Sequence, residues 1–245
     1  MKKKIVICIF IIFLSHLSLM GQYVCYDKDG YTNVRKGAGT QYEIVDKVSK
    51  YELFYSSDHL CSDGNSLDTL LTWIPFVKSI YGDTIGFIYK KNIKSLDDMP
   101  KLWWENVNDT LISCSNDTVR INLVLRDFDK NNHVIEYAAL DEEWKYIMSV
   151  DGKQAKRIHY PIKDNNTDVQ SAKEIKALYI EWKNKRIDLP IDYIKNYFNP
   201  LMVVHLGYEN ELYIYICVGD ASESYGIYLS VVDGEIKYTL DHSAC

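Results

Sequence analysis

The side chains able to do covalent or metal chemistry in this 245-residue chain are few and poorly spaced for it. Beyond residue 21 the cysteines are Cys25, Cys61, Cys114, Cys217 and Cys245, and the histidines are His59, His133, His159, His205 and His242. No two cysteines have C-x-x-C spacing, so zinc and thioredoxin-like chemistry are unsupported. A cysteine hydrolase needs a thiolate next to a histidine base. Cys114 and Cys217 are the available nucleophiles and His242 the available base, but no local motif joins them. The chain holds no G-x-S-x-G, no H-E-x-x-H and no P-loop. No catalytic residue, metal ligand or cofactor is assigned.

Calcium is worth testing because aspartates crowd the turns. With Gly30 as the sixth residue of an EF-hand loop, Cys25 falls at the first ligand position and Lys36 at the twelfth, where a glutamate is needed. Asp127, Asp129 and Asn131 alternate correctly, but Asn132 replaces the glycine and Ala138 the glutamate. Both segments read as turns. The loop Gly219-Asp220-Ala221-Ser222-Glu223-Ser224-Tyr225-Gly226 gathers hydroxyls, two carboxylates and a ring, as a cation or sugar site would. It also has the polar composition of any solvated hairpin tip.

The elements that must position such residues are strands. The chain is 47% apolar and 25% charged, the balance of a globular protein. Its 20 Tyr against 7 Phe and 5 Trp favour sheet over helix. Residues 1–21 stand apart: Lys2-Lys3-Lys4, an unbroken apolar run from Ile5 to Leu14, then Leu19-Met20-Gly21. That is the layout of a secretory signal peptide cut at Gly21/Gln22, with periplasmic or extracellular delivery. The alternative is a membrane anchor, for which the apolar run is short. No later segment could span a bilayer as a helix. The net charge of −6 becomes −9 without residues 1–21, which hold three Lys and no acid. Such acidity argues against nucleic acid or an anionic membrane surface as partner. Where disulfides are allowed, Cys25 and Cys61 could bridge within the first domain; buried free thiols are the alternative.

Residues 22–96 read as a small β-barrel. Strands are expected at Tyr31–Arg35, Ile44–Val48, Glu52–Tyr55, Leu70–Lys78 and Thr84–Tyr89, separated by Gly- and Asp-rich turns. Val34, Ile44, Val48, Trp73, Val77 and Ile88 are the expected core. Residues 97–102, polar and containing Pro100, read as a linker. Residues 103–245 read as an antiparallel β-rich domain. Val119, Ile121, Leu123 and Leu125 face inward there, and Arg120, Asn122 and Arg126 outward. Hairpins are expected at Asp151-Gly152 and Asp233-Gly234. One short helix is expected over Pro190–Phe198, with Pro in its first turn and a stop at Asn199-Pro200. The tyrosines from Tyr208 to Tyr238 could supply an exposed strip, though alternation turns about half of them inward.

Asn33-Val34-Arg35-Lys36-Gly37-Ala38-Gly39-Thr40-Gln41-Tyr42 resembles the N-V-R-x-G-x-G-T-x-Y signature of bacterial SH3-like domains. Trp73, Val77, Gly82 and Gly86-Phe87-Ile88 are similar to that family's closing strands. The likeness covers about 70 residues and departs from the family in the long segment Ser56–Thr72. It implies an SH3-like barrel in a secreted or envelope module that binds peptidoglycan or other cell-wall peptides. Tyr31, Asn33, Arg35, Tyr42 and Trp73 are the candidate ligand residues, offering aromatic faces and loop-borne polar groups. Each has a structural alternative: Trp73 in the core, Asn33 fastening a turn, Arg35 neutralising a carboxylate.

The expectation is thus an exported, non-enzymatic envelope protein whose partner is cell-wall peptide or an envelope protein. The alternatives are an acidic inhibitor or immunity-type protein that binds a basic enzyme, and a divergent wall hydrolase targeted by the first domain.

Overall fold

The computed structural model describes residues 21–56, 72–79, 82–139, 144–156, 162–163, 172–182, 185–207, 210–218 and 225–243. They are mostly strand, paired antiparallel, in two compact units. The first runs to Met99 and includes Lys237–Leu240; the second runs from Pro100 to Ile236 and resumes at Asp241.

The first unit contains β1 (Gly21–Cys25), β2 (Tyr31–Arg35), β3 (Ile44–Ser49), β4 (Leu53–Ser56), β5 (Trp73–Phe76), β6 (Gly86–Tyr89) and β7 (Ile93–Ser95). Among the described residues they form two sheets, β4-β1-β7 and β3-β2-β6-β5, rather than one closed barrel. A bridge between Tyr55 and Val77 joins them. Tyr23, Cys25, Val34, Val48, Phe54, Ile74, Phe76, Ile88 and Ile93 fill the space between the sheets. Phe54 is the hub, with its ring 5.9 Å from that of Tyr23 and 5.3 Å from that of Phe76. Pro75, which has no N–H to give a ladder, sits in β5 at a sheet edge, where it does least harm.

One expectation changes here. Ile44 is not core: it is 45% exposed. A bulge between Val34 and Arg35 makes Val34 face Asp46 and Arg35 face Ile44, so Val45 is skipped and the alternation running back from Val48 is broken. The boundary between the two units, at Met99/Pro100, falls within residues 97–102, the expected linker. Leu96 and Met99 are buried, and Lys101 to Trp103 are a strand. Residues 1–20 lie outside the described residues, and so does Cys61, the expected partner of Cys25.

The second unit is a sandwich. One sheet runs β17 (Lys185–Leu189), β16 (Lys173–Trp182), β11 (Val119–Asp127), β10 (Leu111–Ser115), β9 (Glu105–Asn108). The other runs β21 (Glu235–Ser243), β20 (Tyr225–Val232), β19 (Glu211–Val218), β18 (Leu201–Leu206), β8 (Lys101–Trp103). A single apolar layer fills the space between them: Ile121, Leu123 and Ile180 from one sheet meet Val204, Ile214 and Leu229 from the other. Trp104 packs partly against this layer, whereas Trp103 is exposed. Asp151-Gly152 and Asp233-Gly234 have φ values of 52° and 73°, and 52° and 83°. These left-handed pairs are what two-residue hairpins demand.

The segment 190–198 is not a helix. The Ile191 backbone carbonyl accepts from the amides of Ile194 and Lys195, but the next residues leave the coil. Tyr197 and Phe198 are drawn into bridges with Lys156 and Glu174, and that pairing stops helical propagation. Asn122, expected outward, is buried, with its side-chain oxygen accepting from Ser113 Oγ at 3.1 Å.

A smaller sheet, β12 (Ile135–Ala139), β13 (Trp144–Val150) and β14 (Lys153–Gln154), with β15 (Ile162–Lys163) on β13, clusters its Ile147 and Val150 with Phe128 and Phe198. It is fastened by polar groups. His133 stacks on Phe128 at 4.9 Å, with Nδ1 2.8 Å from Asp151 Oδ2 and Nε2 3.1 Å from Glu174 Oε2. Glu174, almost fully buried, also accepts from Arg126 Nε at 2.6 Å.

The hydrogen bond from His133, reinforced by the Val134 amide, holds the Asp151 carboxyl below the usual carboxylate range. A depressed folded value contributes stability that is complete above the unfolded value, about pH 4, and is lost as pH falls through the folded one. Asp151→Asn should therefore melt below the wild type at about pH 6, and the gap should close near pH 2. Thermal melts of both proteins across that range check this.

Candidate functional site

The Arg35–Tyr42 segment folds back on itself by local chemistry. Arg35 Nη1 donates to the Tyr42 carbonyl at 2.7 Å across the turn. Below it the Lys36 amide donates to the Glu43 carbonyl, and the Gly39 amide to the Gly37 carbonyl. The Tyr42 ring lies over Gly37, where a Cβ would come within 2.7 Å of it. Gly86 allows the other close approach: a Cβ there would stand 2.5 Å from the Arg35 carbonyl oxygen. The two glycines thus let Tyr42 cap the turn and let β6 press against β2.

A cavity of about 250 Å³ lies on the first unit. Tyr31, Asn33 and Arg35 project into it from β2, Trp73 from β5 and Tyr89 from β6. The Trp73 and Tyr89 rings stand 5.4 Å apart at 50°. The Tyr31 ring carries the Lys47 ammonium at 4.2 Å on one face. Asp27, Asp29, Thr32, Thr40 and Asn92 complete the lining. Asn92 Nδ2 ties two of these together, donating to Asp27 Oδ2 at 2.6 Å and to Thr32 Oγ1 at 2.9 Å. Asp27 Oδ1 also accepts from the Asp29 amide, which closes the turn before Gly30. Asn33 Oδ1 is buried and has no hydrogen-bond donor among the described residues.

Four of the five candidate ligand residues therefore line one cavity: Tyr31, Asn33, Arg35 and Trp73. Tyr42 does not; its ring caps the turn instead. Arg35 contributes to both, since the guanidinium that lines the cavity also holds the turn. Trp73 is largely buried, so it serves the core and the wall together. Sequence reasoning missed Asp27, Asp29, Thr32, Thr40, Tyr89 and Asn92. The Asp-Lys-Asp-Gly run was visible as a turn, but nothing in the sequence places Asn92 beside it, 65 residues on.

Elsewhere the chemistry is quiet. Cys114 is fully buried, its thiol pushed up to about 12 by burial, with Sγ 3.5 Å from the Met202 carbonyl. A buried thiol held un-ionised in this way is no nucleophile, which removes Cys114, one of the two cysteines considered for a hydrolase. Cys25 is buried too, its thiol raised to about 11. Among the described residues, no three His, Cys, Asp or Glu side chains are placed to hold a metal ion. Residues 219–224 lie outside the described residues. Tyr213 and Tyr228 are interior, so they form no exposed strip. Among the described residues no helix is long and apolar enough to cross a membrane.

No family model, curated protein or solved structure matches this chain.

If the clamped turn and the Gly86 approach hold the cavity open, both should matter to stability. Arg35→Met, which hands the exposed Tyr42 carbonyl to water, should cost about 0.5–1.5 kcal/mol. Gly86→Ala, whose Cβ meets backbone rather than a yielding side chain, should cost about 1–3 kcal/mol. Urea unfolding of the two variants measures this; wild-type midpoints for both would show that neither contact bears on stability.

Proposed function

We propose that this is an exported, non-enzymatic binding protein of the bacterial cell envelope whose SH3-like first unit takes cell-wall peptide in the cavity between β2, β5 and β6. The observation that carries the reading is the convergence of Tyr31, Asn33, Arg35 and Trp73 on that one cavity. Three aromatic rings give it apolar walls, while Asn33, Thr32 and the two aspartates offer hydrogen bonds. An extended peptide needs both, ring faces for its aliphatic parts and polar groups for its amides. A volume of about 250 Å³ suits two or three peptide residues rather than a whole sugar-peptide repeat. The sandwich of the second unit supplies a rigid body of strands, and its buried Cys114 lends no support to hydrolysis.

Sedimentation of residues 22–245 with purified peptidoglycan sacculi tests the reading. The wild-type chain should pellet with the sacculi. Tyr31→Ala, at a position 40% exposed and so tolerant of truncation, should weaken retention roughly three- to tenfold. A wild-type chain that stays in the supernatant overturns wall binding and turns attention to an envelope protein as partner.

A further inference from the structure

We infer that the cavity of the first unit recognises a primary ammonium on the wall peptide, an inference that rests on the peptide-binding reading above. The argument is one of unmatched acceptors. Two carboxylates line the cavity, and among the described residues neither Asp27 nor Asp29 is paired with a cation. Asp27 accepts only from neutral donors, the Asn92 amide and the Asp29 backbone N–H. The exposed Asp29 carboxylate has no partner among the described residues.

Among the described residues Arg35 is the one cation in the lining, and its Nη1 is engaged by the Tyr42 carbonyl rather than by either aspartate. The aromatic walls extend the same preference, because ring faces attract ammonium groups. Tyr31 shows this directly by holding Lys47 at 4.2 Å. Acceptors without cations, set among aromatic faces, select a small charged donor with several N–H bonds, and a primary ammonium is that group. Wall peptides can present it in two ways, as the side chain of a diamino acid or as a free α-amine. The shared chemistry is the ammonium; the experiment separates the sources.

Residues 22–245 would be titrated with three short peptides while Trp73, in the cavity wall, reports by fluorescence. The first is N-acetylated and carries one lysine; the second is the same peptide with the lysine acetylated; the third has a free α-amine and norleucine in place of lysine. Binding of the first or third should exceed that of the second by about tenfold or more, and the stronger of the two identifies the source. Asp29→Asn should erase most of that preference. Because Asp29 is exposed, the variant keeps the fold, which circular dichroism checks. Equal binding of all three peptides, or a preference unchanged in Asp29→Asn, overturns the inference. If the chain pellets with sacculi yet shows no ammonium preference, the inference fails and wall binding stands. If it binds the amine peptides but not sacculi, the ammonium site stands and wall binding fails; binding to neither ends both.

Discussion

The bond from the Arg35 guanidinium to the Tyr42 carbonyl is where backbone geometry and binding surface meet in the first unit. It closes a turn immediately after a bulge, at the point where β2 must leave its partner. With the turn closed, the Arg35 carbonyl is held against Gly86, and β6 can lie along β2 with no side chain between them. β5 then pairs with β6, which brings Trp73 and Tyr89 onto the same side as Tyr31 and Asn33. Across an exposed turn such a bond contributes on the order of 0.5–1.5 kcal/mol, and Arg35, which makes it, also lines the cavity.

The second unit is built on a different balance. Its stability rests on area: two five-stranded sheets bury one continuous apolar layer, and each strand contributes by alternation. The polar fastening of the β12–β13 hairpin is an exception to that economy. Glu174 is taken almost wholly out of water, which is favourable only because Arg126 and His133 stand beside it. The unit thus combines a dry interior, tolerant of small rearrangements, with one ionic anchor whose geometry is specific.

Strands with strict alternation were legible from residues alone. Val119, Ile121, Leu123 and Leu125 are inward as the pattern demands, and the Asp-Gly turns sit where two strands reverse. What misled was competition from tertiary pairing. Pro190 and Asp192 are sound helix-start signals, yet bridges to Lys156 and Glu174 outweigh a nucleus only one turn long. Ile44 looks like core until the bulge is known, and a bulge leaves no reliable mark in one sequence. The site was legible in the same uneven way. Residues inside the Asn33–Tyr42 motif and Trp73 could be chosen, because turn glycines and an isolated Trp are visible. Asn92 could not, because its place beside Asp27 and Thr32 is a property of the fold.

Cys114 gives the sandwich a built-in probe of its own opening. No alkylating reagent can reach a sulfur with no exposed surface while the sheets stay together. Its modification rate under native conditions then equals the rate of an unfolded thiol multiplied by the fraction of time the layer is open. A slow reaction measured over hours would read out the free energy of separating the two sheets without denaturant. Cys25, buried in the other unit, keeps a second and independent clock, so one chain reports on both of its cores.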